Sequence, residues 1–290
     1  MAVGKTPVHR WLPGIATAAL VAVVATVPAS AAAARHSPAA VGARQPPGYT
    51  IVNRGPFDAP PGTVATFGFV LCPTGTVVWG GGVAFLGGVS PRLTISYSAP
   101  NGTAGWAVRV NNTGTTTAQF GVDAVCADRP ADYLPYYQSV NNPPNTQSHV
   151  TAACPAGTVL FGGGTLSNTQ QVGVVLTSAW PRGPVSFTGY EFNGTATRQN
   201  FTVSAICGQR PAGYKIVTNS ASVAPRSTLS DVIGCPAGTS VLGGGVQDPG
   251  HVRVVQVAGS IDQGASGWAF DVINNGPLAH KVNGYAICAA

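Results

Sequence analysis

The sequence predicts an all-β protein built from three copies of one unit, packed as a single β-prism-like body with pseudo-threefold symmetry. Three observations carry that expectation. The first is a recurring stretch. Cys72-Pro73-Thr74-Gly75-Thr76 leads through Trp79 to Gly80-Gly81-Gly82. Cys154-Pro155-Ala156-Gly157-Thr158 leads to Gly162-Gly163-Gly164, and Cys235-Pro236-Ala237-Gly238-Thr239 to Gly243-Gly244-Gly245. The starts lie 82 and 81 residues apart, and a fixed period of this kind marks a repeat architecture. The second is the lack of any sustained 3.6-residue apolar period after the N-terminus, because Gly and Pro interrupt every long window. The third is the glycine triplet itself. Glycines inside a strand cost backbone entropy and call for a close backbone approach or a bulge. A shared axis supplies that approach. The same strands also allow three tandem small β-sandwiches, each triplet bending a strand within its own sandwich.

The N-terminus reads as an export signal over residues 1–35. Lys5, His9 and Arg10 precede an apolar run from Ile15 to Val27, and Ala29-Ser30-Ala31 offers a small-residue cleavage site. The run is shorter than the roughly 20 residues a membrane span needs, and no second apolar stretch follows, so no membrane association is expected after cleavage. Residues 36–47 read as a flexible linker. Unit boundaries then fall at 48–130, 131–211 and 212–290. The linkers Arg129-Pro130-Ala131-Asp132-Tyr133 and Arg210-Pro211-Ala212-Gly213-Tyr214 match, and Pro46-Pro47-Gly48-Tyr49 is a shortened form of the same element. Within the first unit, strands are expected over 49–53, 63–71, 76–85, 92–98, 106–111 and 119–126. Each is rich in Val, Thr, Phe and Tyr, and is bounded by Gly, Pro or Asn. Alternation in Trp106-Ala107-Val108-Arg109-Val110 points to one buried face and one wet face.

Six cysteines, at 72, 126, 154, 207, 235 and 288, form one pair per unit. In an exported chain such an even, regular set reads as disulfides. Two pairings respect the repeat: Cys72–Cys126, Cys154–Cys207 and Cys235–Cys288, or the ring Cys126–Cys154, Cys207–Cys235 and Cys288–Cys72. The first is favoured, because each unit is then stapled alone. No C-x-x-C spacing is present, so no metal site is expected.

Charged residues make up 8 % of the chain, against about 25 % in ordinary domains. Of the net +6, residues 1–35 carry three cations, Lys5, Arg10 and Arg35, and no carboxylate, so the remainder is +3. The arginines are scattered, which argues against a nucleic-acid partner. An Asn-, Thr-, Ser- and Gln-rich surface suits hydrogen bonding to sugars.

The C-P-A-G-T-x-V-x-G-G-G start, the G-W-x-x-x-V-N-N middle at Gly105 to Asn112 (with a similar Gly267 to Asn275) and the A-I-C end resemble a repeat of secreted actinobacterial proteins of unknown function. The C-P-x-G start with downstream glycines is also similar to the vitelline membrane outer layer β-prism family. That resemblance implies threefold sheets and a structural or carbohydrate-associated role.

Comparison among the three units separates fold from site. Trp79, Phe161 and Leu242 are equivalent and apolar, hence core. Trp106, Tyr190 and Trp268 are read as equivalent and also as core. Trp180 has no aromatic counterpart. It is expected in an exposed turn beside Arg182, and these two residues are the candidate ligand contacts. No G-x-S-x-G elbow, H-E-x-x-H or phosphate loop occurs. His149, His251 and His280 fall at non-equivalent places and are read as surface histidines. Glu191 is the only glutamate, and no carboxylate pair of the kind glycosidases need stands out. The expectation is therefore an exported, extracellular, non-enzymatic structural or adhesive protein without a cofactor, binding cell-wall or environmental polysaccharide. The alternative is a secreted hydrolase whose unpatterned site lies around His149, Trp180 or Glu191.

Overall fold

The computed structural model describes residues 45–167 and 171–290. The expected signal peptide and most of the linker lie outside them. The last linker residues are tied to the body: the Pro47 carbonyl accepts from the Asp128 N–H at 2.9 Å.

Each unit supplies six strands. The first gives β1 (Thr50–Ala59), β2 (Thr63–Leu71), β3 (Thr76–Leu86), β4 (Leu93–Pro100), β5 (Gly105–Asn112) and β6 (Ala118–Asp128). The second gives β7 (Leu134–Asn142), β8 (Thr146–Ala153), β9 (Val159–Ser167), β10 (Val174–Gly183), β11 (Ser186–Asn193) and β12 (Gln199–Gly208). The third gives β13 (Lys215–Val223), β14 (Thr228–Gly234), β15 (Ser240–Gln247), β16 (Val255–Asp262), β17 (Gly267–Asn274) and β18 (His280–Ala289). The expected strand positions of the first unit are all present.

No unit keeps its strands together. The first sheet runs β1-β6-β3-β16-β17-β14, the second β2-β5-β4-β9-β12-β7 and the third β13-β18-β15-β10-β11-β8. Every sheet joins half of one unit to half of another, and the exchange closes in a ring. Tandem sandwiches are thereby excluded, and the single three-sheet body stands. All strand pairings are antiparallel.

Each glycine of a triplet meets a different neighbour. A Cβ on the first, at Gly80, Gly162 or Gly243, would lie 2.1, 2.5 or 2.8 Å from the carbonyl oxygen of Leu242, Trp79 or Phe161. Those three residues directly precede the three triplets, so β3, β9 and β15 meet one another around the axis. A Cβ on the second would enter the ring of Trp106, Phe187 or Trp268. A Cβ on the third would lie about 2 Å from the carbonyl of Ser260, Ser98 or Ala179, on the partner strand from another unit. The triplet thus packs an axis, an aromatic layer and an inter-unit seam in turn. Trp79, Phe161 and Leu242 are buried as expected, and the Trp79 and Phe161 rings stack at 4.4 Å.

The aromatic layer corrects one expected equivalence. Phe187, not Tyr190, is the counterpart of Trp106 and Trp268, because it stands at the same register on β11. The reason it differs is local. Trp106 donates its indole N–H to Ser98 Oγ at 3.0 Å, and Trp268 donates to Ser260 Oγ at 2.8 Å. The matching partner position beside Phe187 is Ala179. A buried indole needs an acceptor and a phenyl ring does not, so the two positions change together.

Three further contacts make the linkers and the V-N-N motif legible. Each linker tyrosine reaches into another unit, Tyr133 and Tyr214 into the preceding one and Tyr49 of the first unit into the third. Tyr133 donates its hydroxyl to the Val78 carbonyl, Tyr214 to Leu160 and Tyr49 to Val241. Arg129 and Arg210 lie over the rings of Tyr133 and Tyr214. Asn112, Asn193 and Asn274, all buried, donate Nδ2 to the last carbonyls of β1, β7 and β13. Their Oδ1 atoms accept from backbone N–H groups two residues on.

The disulfides are Cys72–Cys126, Cys154–Cys207 and Cys235–Cys288, the pairing within each unit. Because each unit is split between sheets, every bridge also ties two sheets together. Cys72 follows β2 of the second sheet and Cys126 lies in β6 of the first. Such closed bridges belong to an oxidising compartment, and no helix among the described residues is long and apolar enough to cross a membrane. Replacing Cys154 and Cys207 together by alanine should cost about 4 kcal/mol, from the chain entropy of a loop closed over 53 residues. Urea midpoints of the double variant and the parent, both non-reduced, measure it.

Candidate functional site

The void at the centre of the aromatic layer is too small for a ligand. The void lined by the second glycines and by Trp106, Phe187 and Trp268 holds only about 30 Å³. Function has to be sought on the outer faces, where the three sheets share a backbone and differ in side chains.

Strand alternation sends Thr188 and Tyr190 outward from β11 while Phe187 points in. Tyr190 pairs with His149 on β8, Thr188 with Trp180 on β10 and with Thr151 on β8. In the second sheet the places of Tyr190 and His149 are held by Arg109 and Phe67, and in the first by Asp271 and Ser230. One pair of positions therefore carries a stacked His–Tyr pair on one face, an Arg–Phe pair on another and a hydrogen-bonded Ser–Asp pair on the third.

The third sheet builds an outer cleft of about 360 Å³. Trp180 stands at its centre, between Thr188 and Tyr190 on one side and Gln247 and Tyr285 on the other. His149, His251 and Arg182 complete the lining. The Tyr190 ring lies 4.7 Å from His149 and 4.1 Å from His251, close to parallel with both. Trp180 lies 5.6 Å from Tyr190 and 6.2 Å from His251.

The two expected contacts, Trp180 and Arg182, do share this site, with one correction. Trp180 is not in an exposed turn. β10 continues through it to Gly183, and the indole is 5 % exposed. The strand runs on because positions 179–181 pair with 187–189 and with β15. Trp180 serves as the floor, and exposed Arg182 stands at the mouth.

His251 was not legible as a site residue. It reaches the cleft from the short loop after β15, with φ at +49°. That left-handed conformation is costly for a side chain with a Cβ, and Asp248 holds it. The buried Asp248 carboxylate accepts from the Gly250 N–H at 3.0 Å and the Val252 N–H at 2.6 Å, on either side of His251. The Asp248 carbonyl accepts from His251 itself at 3.1 Å. A strained residue held in place by its surroundings is a common device at ligand sites. The only sequence signal was that Asp248 and His251 lack counterparts in the other units. His251 and His149, read as isolated surface histidines, instead flank one tyrosine.

Gln247 is fixed through its carbonyl. Its Oε1 accepts from the Tyr285 hydroxyl at 2.8 Å and from Asn283 Nδ2 at 3.2 Å. Its Nε2 is left to donate into the cleft.

Glu191 does not join the cleft. It points inward from β11, 2 % exposed, where the other units carry Val110 and Val272. Burial pushes its carboxyl up to about 8, against the opposing hydrogen bond from Asn142 Nδ2 at 3.1 Å. Of the three residues around which a hydrolase site was considered, His149 and Trp180 line the cleft and Glu191 lies buried apart from it.

A carboxylate pair does exist elsewhere, on the first sheet. Asp123 of β6 and Asp262 of β16 are in hydrogen-bonding contact, both more than nine-tenths buried. Burial first, then the neighbouring Asp123, holds the Asp262 carboxyl well above the usual aspartate range. The pair was not legible from spacing, because Asp123 belongs to the first unit and Asp262 to the third. Ring closure alone brings them together.

No protein-family model and no curated protein matches this chain. The functional reading rests on the geometry.

Proposed function

We propose that this is an exported, non-enzymatic adhesive protein that binds polysaccharide through the outer cleft of the third sheet. The observation that carries the reading is the cleft's chemistry on a single face. An indole floor stands among imidazole, phenol, hydroxyl, amide and guanidinium groups, while the equivalent positions of the other sheets are different. Aromatic rings cover the C–H faces of sugars, and neutral donors and acceptors satisfy their hydroxyls. Three sheets stapled by disulfides supply a rigid platform that survives outside the cell. A signal sequence over residues 1–35 fits that destination. The residues lining the cleft include no carboxylate, whereas glycoside hydrolysis calls for two, and this favours binding over hydrolysis.

The test is retention on insoluble polysaccharides and on a glycan array, comparing the parent with Tyr190→Ala. Tyr137→Ala, on an exposed residue of the second sheet, is the control. Tyr190→Ala should lower glycan affinity about tenfold, the loss of about 1.4 kcal/mol expected when an aromatic contact at the centre of a site is removed. Tyr137→Ala should bind as the parent does. Absence of retention on every glycan, or equal losses for both variants, would remove this reading.

A further inference from the structure

We infer that the glycan taken by this cleft is acidic, a linear polysaccharide bearing uronic-acid carboxylates. The inference rests on the polysaccharide-binding reading and adds the charge of the ligand. Next to the cleft lies a second depression, of about 480 Å³, lined by Asn145, Thr146, Gln147, His251, Val252 and Arg253. His251 borders both, so the two depressions adjoin. The distance between their arginines follows from the register. Arg182 lies one residue beyond Pro181, which pairs with Phe187, and Arg253 sits over the ring of Phe192 at 5.1 Å. Residues 187 to 192 of one strand span about 17 Å at roughly 3.4 Å per residue. The two exposed guanidinium groups therefore stand one in each of two adjoining depressions, about the length of several sugar rings apart.

Neither depression is lined by an aspartate or a glutamate. In a chain with so few charges, two adjoining depressions with an arginine in each and no lining acid are a directed arrangement. Their potential attracts anions. The planar guanidinium fork matches a carboxylate, and neutral donors between the arginines suit the intervening hydroxyls. The indole floor favours a pyranose, which has a flat C–H face, over an acyclic polyol phosphate, which has none.

The experiment is calorimetric titration of the full mature protein with tetragalacturonate, cellotetraose and a poly(ribitol phosphate) fragment, at low and high salt. The variants are Arg182→Gln and Arg253→Gln. Arg182 is exposed, and its replacement is not expected to disturb folding. Tetragalacturonate should bind most tightly and weaken as salt rises. Each variant should lose about tenfold for tetragalacturonate, the loss expected of one charge-assisted hydrogen bond, with little change for cellotetraose. Equal binding of cellotetraose, with both arginine variants unchanged, would overturn the acidic-glycan inference and leave the polysaccharide reading intact. Tighter binding of the polyol phosphate would overturn the uronate assignment. If neither these probes nor any array glycan binds, both readings fall together.

Discussion

Gly80→Ala should yield no folded protein, while Gly121→Ala in the same sheet should fold normally. The added methyl at position 80 would lie 2.1 Å from the Leu242 carbonyl oxygen. That atom belongs to the backbone of a neighbouring triplet strand, which is itself held against the third. Relief would require all three central strands to move apart, and a closed ring of sheets offers little slack. The loss should exceed about 5 kcal/mol, the upper range for single substitutions and comparable to the whole stability of many domains. Gly121 lies on β6, where the nearest atom to an added Cβ is the Arg54 carbonyl at 3.9 Å. There alanine should change stability by no more than about 1 kcal/mol, with the sign favouring alanine. Soluble yield and thermal midpoints of the two variants make the comparison. A Gly80→Ala protein melting with the parent would show that the three triplets do not share an axis.

The second large effect is a pH dependence of stability centred on Glu191. The unfolded chain releases this proton near the ordinary glutamate value of 4.5, and the folded protein keeps it to about pH 8. Between those values the unfolded state binds fewer protons, so stability falls as pH rises. The full span corresponds to about 5 kcal/mol, at 1.36 kcal/mol per pH unit. Above about pH 8 the folded state loses its proton too, and this contribution levels off. Glu191→Gln keeps the shape and the hydrogen-bonding capacity and removes the charge. Its urea midpoint should therefore decline less between pH 5 and pH 8 than that of the parent. Asp262 contributes a slope of the same sign, because its folded value is also raised, so some decline should persist in the variant. Identical slopes for parent and variant would show that Glu191 is not the buried acid responsible.

These two effects come from the same design viewed at different depths. Near the axis all three units obey one rule, and each carries one triplet and one bridge. One layer out, the rule allows paired exceptions, as with Phe187 and Ala179 in place of a tryptophan and a serine. Glu191 is an exception without a sister, tolerated because burial keeps it protonated and Asn142 donates to it. On the outer faces no rule is left, and the three sheets carry a cleft of aromatic and imidazole groups, an Arg–Phe pair and a hydrogen-bonded Ser–Asp pair.

The sequence by itself determined the parts that are local or repeated. Strand positions follow from short β-rich runs between Gly, Pro and Asn. The unit length follows from the spacing of the cysteines and triplets, and one cysteine pair per unit narrowed the disulfides to two symmetric pairings, of which the folded chain holds the one within units. It also singled out Trp180 and Arg182 by their lack of counterparts. What it left open was decided between units. Antiparallel pairing fixes which strand edges meet only after the chain has closed its ring. The exchange of half-units among sheets, the meeting of Asp123 with Asp262 and the inward turn of Glu191 could not be read from spacing. The same holds for the cleft. His149, Tyr190 and Trp180 come from the second unit, whereas Gln247, His251 and Tyr285 come from the third. The third sheet joins those two halves, and that pairing, a tertiary fact, places the aromatic residues of one unit beside the histidine loop of the other.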